Sequence, residues 1–167
     1  MKWKKYLYWI PVIVWMGVIF YFSHQPSQVS SSLSGGILDS LLALLPNGFP
    51  IDTEVLHTII RKIAHVSVYF VLAILVSFAW SKSLLQFYQN PVGVHRFYSL
   101  RSYSIVIGIC FLYAMGDEYH QTFISGRSGE FRDVLIDTSG ALMGLFVYGL
   151  VYWWIFRKRV KQNDESI

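Results

Sequence analysis

A single cysteine, Cys110, occurs among the 167 residues of the chain, so no internal disulfide can form. Its place inside an apolar run reads as a small core residue. Charge is also scarce. Asp, Glu, Lys and Arg make up 14% of the residues, where soluble domains carry about 25%. That scarcity argues against an ordinary soluble domain, and the 54% of hydrophobic residues point to a membrane protein. The chain has no nucleophile elbow, phosphate-cradling glycine loop or HExxH sequence, so the common signatures of serine hydrolases, P-loop nucleotidases and zinc proteases are missing. No small-x-small site follows the first apolar run, so a cleaved signal peptide is not expected. No internal repeat occurs, and a run of serines is the sole low-complexity stretch.

What is present is four long apolar segments. A helix needs about 20 residues to cross a hydrocarbon core of roughly 30 Å at 1.5 Å per residue. The predicted spans cover about residues 6–23, 62–80, 102–121 and 134–156, with a tail at 157–167, in a single membrane domain over 1–167. The predicted fold is all-α, a four-helix transmembrane bundle. Lys and Arg set its orientation: ten fall at the termini and at 82–101, and four (Arg61, Lys62, Arg127, Arg132) on the opposite side. The expectation is a multi-pass protein of the cell membrane with both termini cytoplasmic. The net charge of +4 reflects these cytoplasmic flanks, and no nucleic-acid partner is expected.

The first external loop begins with SQVSSSLSGG, read as polar and flexible. Ile37 to Leu45 is too short to span and reads as an interfacial helix, or else as a surface segment packed on the bundle. Pro46, Gly48 and Pro50 end it. Asp52 or Thr53 can cap the next helix, with Glu54 favourable in its first turn. The segment 81–101, with NPVG, is not expected to fold alone, and the tail KRVKQNDESI is expected to fray.

The ionisable residues are unevenly placed. The stretch 116–137, GDEYHQTFISGRSGEFRDVLID, holds five of the ten carboxylates. Counting about 20 residues from each cytoplasmic end places Gln25, Arg61, Gln121 and Asp137 at one membrane boundary. Lys62 and Asp133 lie near them, and His65, Asp117 and Glu118 lie one turn deeper. Ionisable groups at that depth are costly unless they face the bundle interior and find partners. Glu54, His57, Arg61 and His65 form one stripe of the second helix, and Asp133, Asp137, Gly140 and Gly144 one stripe of the fourth. Gly140-x-x-x-Gly144 would let another span approach closely. The candidate site is therefore Arg61, Lys62, His65, Asp117, Glu118, Gln121, Arg127, Asp133 and Asp137, in one polar pocket open to the outside.

The same residues carry a resemblance. Ser23-x-Gln25, Arg61-Lys62-x-x-His65, Asp117-Glu118-x-x-Gln121-x-Phe123-x-x-Gly126-Arg127 and Asp133-Val134-x-x-Asp137-x-x-Gly140 occur in order on successive helices. Together they resemble the VanZ-like family, named for a teicoplanin-resistance membrane protein, over about residues 8–150. The resemblance implies a bacterial envelope protein, with some members linked to lower glycopeptide sensitivity. It supplies no agreed chemistry.

Three functions stay open. In the first, the pocket binds an anionic group of an envelope lipid or cell-wall precursor, gripped by Arg61 and Arg127 and oriented by the acids. In the second, the protein is a membrane-embedded hydrolase or transferase on a lipid-linked substrate, with His65, Asp117 and Glu118 as catalytic candidates. The carboxylates with His65 and His120 could there hold a hard divalent metal, Mg²⁺ rather than Zn²⁺. A proton pathway is weaker, because the cytoplasmic halves of the spans lack ionisable residues. Against all three stands a structural reading, in which the ions only pair and fix helix register. No metal ligand, cofactor or oligomeric state is assigned.

Overall fold

A computed structural model describes residues 3–42, 52–87 and 100–164. All regular structure among them is helical: α1 (Lys4–Leu7), α2 (Ile10–Ser23), α3 (Ser27–Leu42), α4 (Thr53–Phe87), α5 (Leu100–Gln121) and α6 (Phe131–Asp164). Three segments are long and apolar enough to cross a membrane: Lys5–Ser23, Thr53–Ser83 and Phe131–Ile155. The chain is thus an all-α, membrane-spanning helical bundle. The fourth expected span, 102–121, coincides with α5. At 22 residues α5 is long enough, but its charged and amide side chains make it less apolar than the other three.

Local chemistry explains the helix starts. Pro11 stands at the start of α2, where a missing N–H costs nothing. Asp52 caps α4: its Oδ1 accepts hydrogen bonds from the backbone N–H of Glu54 at 2.9 Å and Val55 at 3.3 Å. From that cap α4 runs unbroken for 35 residues, about 52 Å, well beyond one hydrocarbon thickness.

The helices differ from expectation in three places. The serine-rich stretch is helical rather than flexible. Pro26 accepts from the N–H groups of Val29 and Ser30, both at 3.1 Å, and this first turn continues to Leu42. The expected interfacial helix at Ile37–Leu45 is therefore the far end of a longer α3, and residues 43–51, with its proline and glycine breakers, lie outside the described residues. At the other end, α6 continues to Asp164 through the tail expected to fray. With only residues of ordinary helix propensity after Phe156, no breaker stops it. The loop containing NPVG also lies outside the described residues, although α4 extends into the segment to Phe87.

The core is built from inward stripes at helical spacing. α4 contributes Tyr69, Leu72, Ala73 and Val76; α5 contributes Val106, Cys110 and Ala114; α6 contributes Val134, Ala141 and Leu145. Val12 and Ile19 of α2 close one side. The outward faces are apolar too, with Leu142, Phe146, Leu150 and Trp154 of α6 exposed. That is the exterior a helix presents to lipid, where burial from water supplies no force between helices.

Packing therefore rests on close fit, most of all between α4 and α6. Any side chain at Gly140 would collide with the Val66 carbonyl, and any at Gly144 with the Phe70 carbonyl. The two helices touch backbone to backbone along this line. Gly140→Ala is expected to lower stability in detergent by about 1–3 kcal/mol, because backbone atoms must move apart. Gly17→Ala, on an open face of α2, is the control. Thermal unfolding of both variants checks this, and equal melting temperatures would contradict the seam.

Candidate functional site

The inward stripes change character at one end of the bundle. On α4, one turn before Tyr69, the stripe reaches His65 and then Arg61 and Lys62. On α5 it passes from Ala114 to Asp117, Glu118 and Gln121. On α6, one turn before Ala141, it reaches Asp137 and then Asp133. Asp117, Glu118, Gln121 and Asp137 are all buried.

Direct contacts join these residues across the helices. His65 Nδ1 lies 3.1 Å from Asp137 Oδ1, and Lys62 Nζ lies 3.1 Å from Asp133 Oδ1. An ionised carboxylate only accepts, so the His65 contact is an Nδ1–H donation to Asp137. The two pairs sit at different depths: the Asp137 side chain is 0% exposed, against 21% for Asp133. Gln121 Nε2 donates to Asp117 Oδ2 at 3.3 Å and to Glu118 Oε1 at 3.2 Å. Its other end, Oε1, accepts from an Arg127 guanidinium N–H at 3.2 Å.

The loop after α5 places Arg127. Gly126 has φ of 75°, in the left-handed region that glycine adopts without strain, and a side chain there would run into Ser27 at the start of α3. The turn closes with Arg127 N–H donating to the Ile124 carbonyl at 3.1 Å. The second guanidinium nitrogen donates to the Phe22 carbonyl at the end of α2, 3.3 Å away. Burial first, and then the nearby Arg61 guanidinium, pulls the Arg127 pKa below the ordinary arginine value. Arginine nonetheless stays protonated in proteins. Arg61, on the exposed side of α4, makes no ion pair among the described residues.

Both arginines line a cavity of about 290 Å³, together with Ser23, Gln25, Ser30, His65, Tyr69 and Asp117. Its apolar wall comes from α2 and α4, through Ile19, Phe22, Ile60 and Val68. A larger apolar groove of about 750 Å³ lies between α5 and α6, lined by residues such as Ile107, Leu142 and Trp153. None of the candidate residues borders that groove.

All nine candidate residues thus lie at one end of the bundle, in three contact groups (Lys62–Asp133, His65–Asp137, and Gln121 with Asp117, Glu118 and Arg127), with Arg61 at the cavity wall. The carboxylates meet Lys62 and His65 directly. The acids do not hold Arg127 directly; Gln121 stands between it and Asp117 and Glu118. His120 faces away from the cluster: its Nε2 is 3.1 Å from His24 Nδ1, and the two rings stack against each other and against Phe20. The sequence reading also missed Tyr69, a wholly buried phenol on the cavity wall, although it follows His65 by four residues on the same face. The Glu130 side chain is exposed, as a surface charge should be, but its backbone N–H donates to Glu118 Oε2 at 3.1 Å.

A helical bundle with several apolar spans and buried ionisable groups at one end defines a multi-pass membrane protein. Residues 8–153 match the VanZ/LLP1 family, and the chain belongs to it. No curated protein and no solved structure matches the chain.

The two ion pairs should differ in weight. Asp133→Asn removes a half-exposed bridge at the boundary and is expected to cost less than about 1 kcal/mol. Asp137→Ala strips the buried partner from His65 and is expected to cost about 1–3 kcal/mol. Unfolding in one detergent compares them, and an equal or reversed order would show that depth does not govern the network.

Proposed function

We propose that this VanZ-family protein of the cell envelope binds an anionic group, of the phosphate type carried by an envelope lipid or cell-wall precursor, in the cavity lined by Arg61 and Arg127. In this reading α5 is a fourth span, both termini are cytoplasmic and the cavity opens on the outer side. Glycopeptide susceptibility, teicoplanin included, would follow from capture of such a precursor.

One observation carries the reading: Arg61 and Arg127 line one cavity, and no carboxylate ion-pairs with either among the described residues. An anion lodged between them would accept charge-assisted hydrogen bonds from both guanidinium groups. The cavity's mixed lining suits an amphiphile, with polar groups for a head and Ile19, Phe22 and Val68 for a chain.

Arg127→Lys keeps the charge but loses the planar fork that reaches Gln121, the Phe22 carbonyl and an anion together. It is expected to weaken binding of a phosphate-headed lipid to the purified protein in nanodiscs by about tenfold, roughly 1.4 kcal/mol. Unchanged binding would refute the anion site. The catalytic alternative draws on the His65–Asp137 contact, which orients an imidazole as a general base requires. Turnover of a lipid-linked phosphate by purified protein, abolished by His65→Ala and by Glu118→Gln, would establish it over simple binding.

A further inference from the structure

At the cavity and beside it, α5 and α6 bring three acids to one place, facing His65 of α4. Asp117, Glu118 and Asp137 are each no more than 5% exposed. The salt bridges among the described residues give them a single titratable partner, His65, which pairs with Asp137 alone. Lys62 is engaged with Asp133, and Arg127 is directed to Gln121 and the Phe22 carbonyl. Gln121 supplies one N–H to each of Asp117 and Glu118. Asp137 Oδ2 and Asp117 Oδ1 are both buried with no hydrogen-bond partner, and the buried hydroxyls of Ser23 and Tyr69, which could donate, are unpaired as well. An uncompensated buried carboxylate is expensive, and each such orphan in a folded protein calls for a partner.

The donors lie near enough for one cation to draw them together. His65, Glu118 and Asp137 each offer one ligand atom, and these atoms all lie within 4.8 Å of one another. His65 Nδ1 and Asp137 Oδ1 are 3.1 Å apart. Two neighbouring ligands each about 2.1 Å from an octahedral ion lie about 3.0 Å apart, so an ion can replace the shared proton without displacing either side chain far. The three residues come from three helices, and each is held by its helix and by a second contact. Glu118 is fixed by the Glu130 N–H and by Gln121, and Asp137 stands beside the Gly140 contact with α4.

We propose that His65, Glu118 and Asp137 form a binding site for one divalent transition cation, of the Zn²⁺ or Mn²⁺ type. One imidazole with two carboxylates favours such an ion over Mg²⁺, which prefers oxygen ligands and retains its waters. Three protein ligands leave a coordination position open. His65 also lines the cavity, so the ion is reached from there. His120 takes no part, because it is committed to His24. The site rests on the acids and their orphaned oxygens rather than on the arginines, so it stands or falls separately from the anion reading.

Full-length protein in detergent, stripped with chelator and titrated with Zn²⁺ and with Mn²⁺, tests this by calorimetry and by metal analysis after desalting. Wild type is expected to retain about one ion per chain and to release a proton as the ligands lose theirs. Glu118→Gln and His65→Gln are expected to bind at least about tenfold more weakly, because each removes a ligand. His24→Ala with His120→Ala is expected to bind as wild type, which separates the buried site from the surface histidine pair. Because Asp137→Asn could unfold the bundle, Glu118→Gln is the deciding variant, with its thermal melt recorded without metal. Failure of wild type to retain an ion, unchanged binding by folded Glu118→Gln, or loss of binding in the His24/His120 variant would each overturn the proposal. Binding of a phosphate-headed lipid by the metal-stripped protein is read separately from metal retention, so a failed anion site and a failed cation site give different results.

Discussion

The α4–α6 contact sets the register on which the polar network depends. At Gly140 and Gly144 the two backbones meet at the Val66 and Phe70 carbonyls, and no side chain fits between them. Once these levels are fixed, the residues one turn further along are fixed as well. Asp137 comes opposite His65, and Asp133 opposite Lys62. A slide of one helical turn, about 5.4 Å, would carry Asp137 from His65 to the level of Tyr69 in one direction or Arg61 in the other, and would part Asp133 from Lys62. The glycines and the ion pairs therefore enforce the same alignment. Close packing provides attraction where lipid supplies no hydrophobic force, and the cost of an unpaired charge penalises the alternatives.

Each of the three long helices carries its own transition from apolar to ionisable along a single inward stripe, and the three transitions coincide in depth. This coincidence is what makes a site. Tyr69, Cys110 and Ala141 fill the interior with apolar bulk. One or two turns on, His65, Glu118 and Asp137 occupy equivalent inward positions, and the packing that buries the first set brings the second together. The loop with Gly126 and the start of α3 then cover the polar end. Ser27 lies against Gly126, and its N–H reaches the Ser125 carbonyl at 3.4 Å.

Level along the helices was legible in the sequence because rise per residue is constant: counting from the ends expected to be cytoplasmic put Arg61, Gln121 and Asp137 at one level. Inward direction was legible as well, since a polar residue among apolar ones must avoid lipid. Pairing was not. Counting gives height along each helix but not the angle between helices, so Asp137 could equally have met Arg61 or His65, and only the crossing at Gly140 decides it. Tyr69 escaped notice because a phenol on an apolar stripe looks like any aromatic core residue; its place on the cavity wall appears only once the helices are packed. The helical serine run was hidden for a different reason. Serine is a weak helix former that also suits loops, and the first turn around Pro26, together with packing against α4, settles the balance.

Gln121 shows why acids and arginines can share so small a space without cancelling each other. A direct Arg127–Asp117 bridge would saturate the guanidinium and satisfy the acid, leaving neither free to meet a ligand. The amide divides the two. Its NH₂ group turns toward Asp117 and Glu118 while its oxygen turns toward Arg127, and each interaction is of ordinary length and neutral on one side. The cationic and anionic halves are thereby held at fixed positions with part of their bonding capacity unspent. That division is also why a glutamate at this position would not serve. A third buried carboxylate beside Asp117 and Glu118 would repel both and draw Arg127 inward, away from the cavity it shares with Arg61.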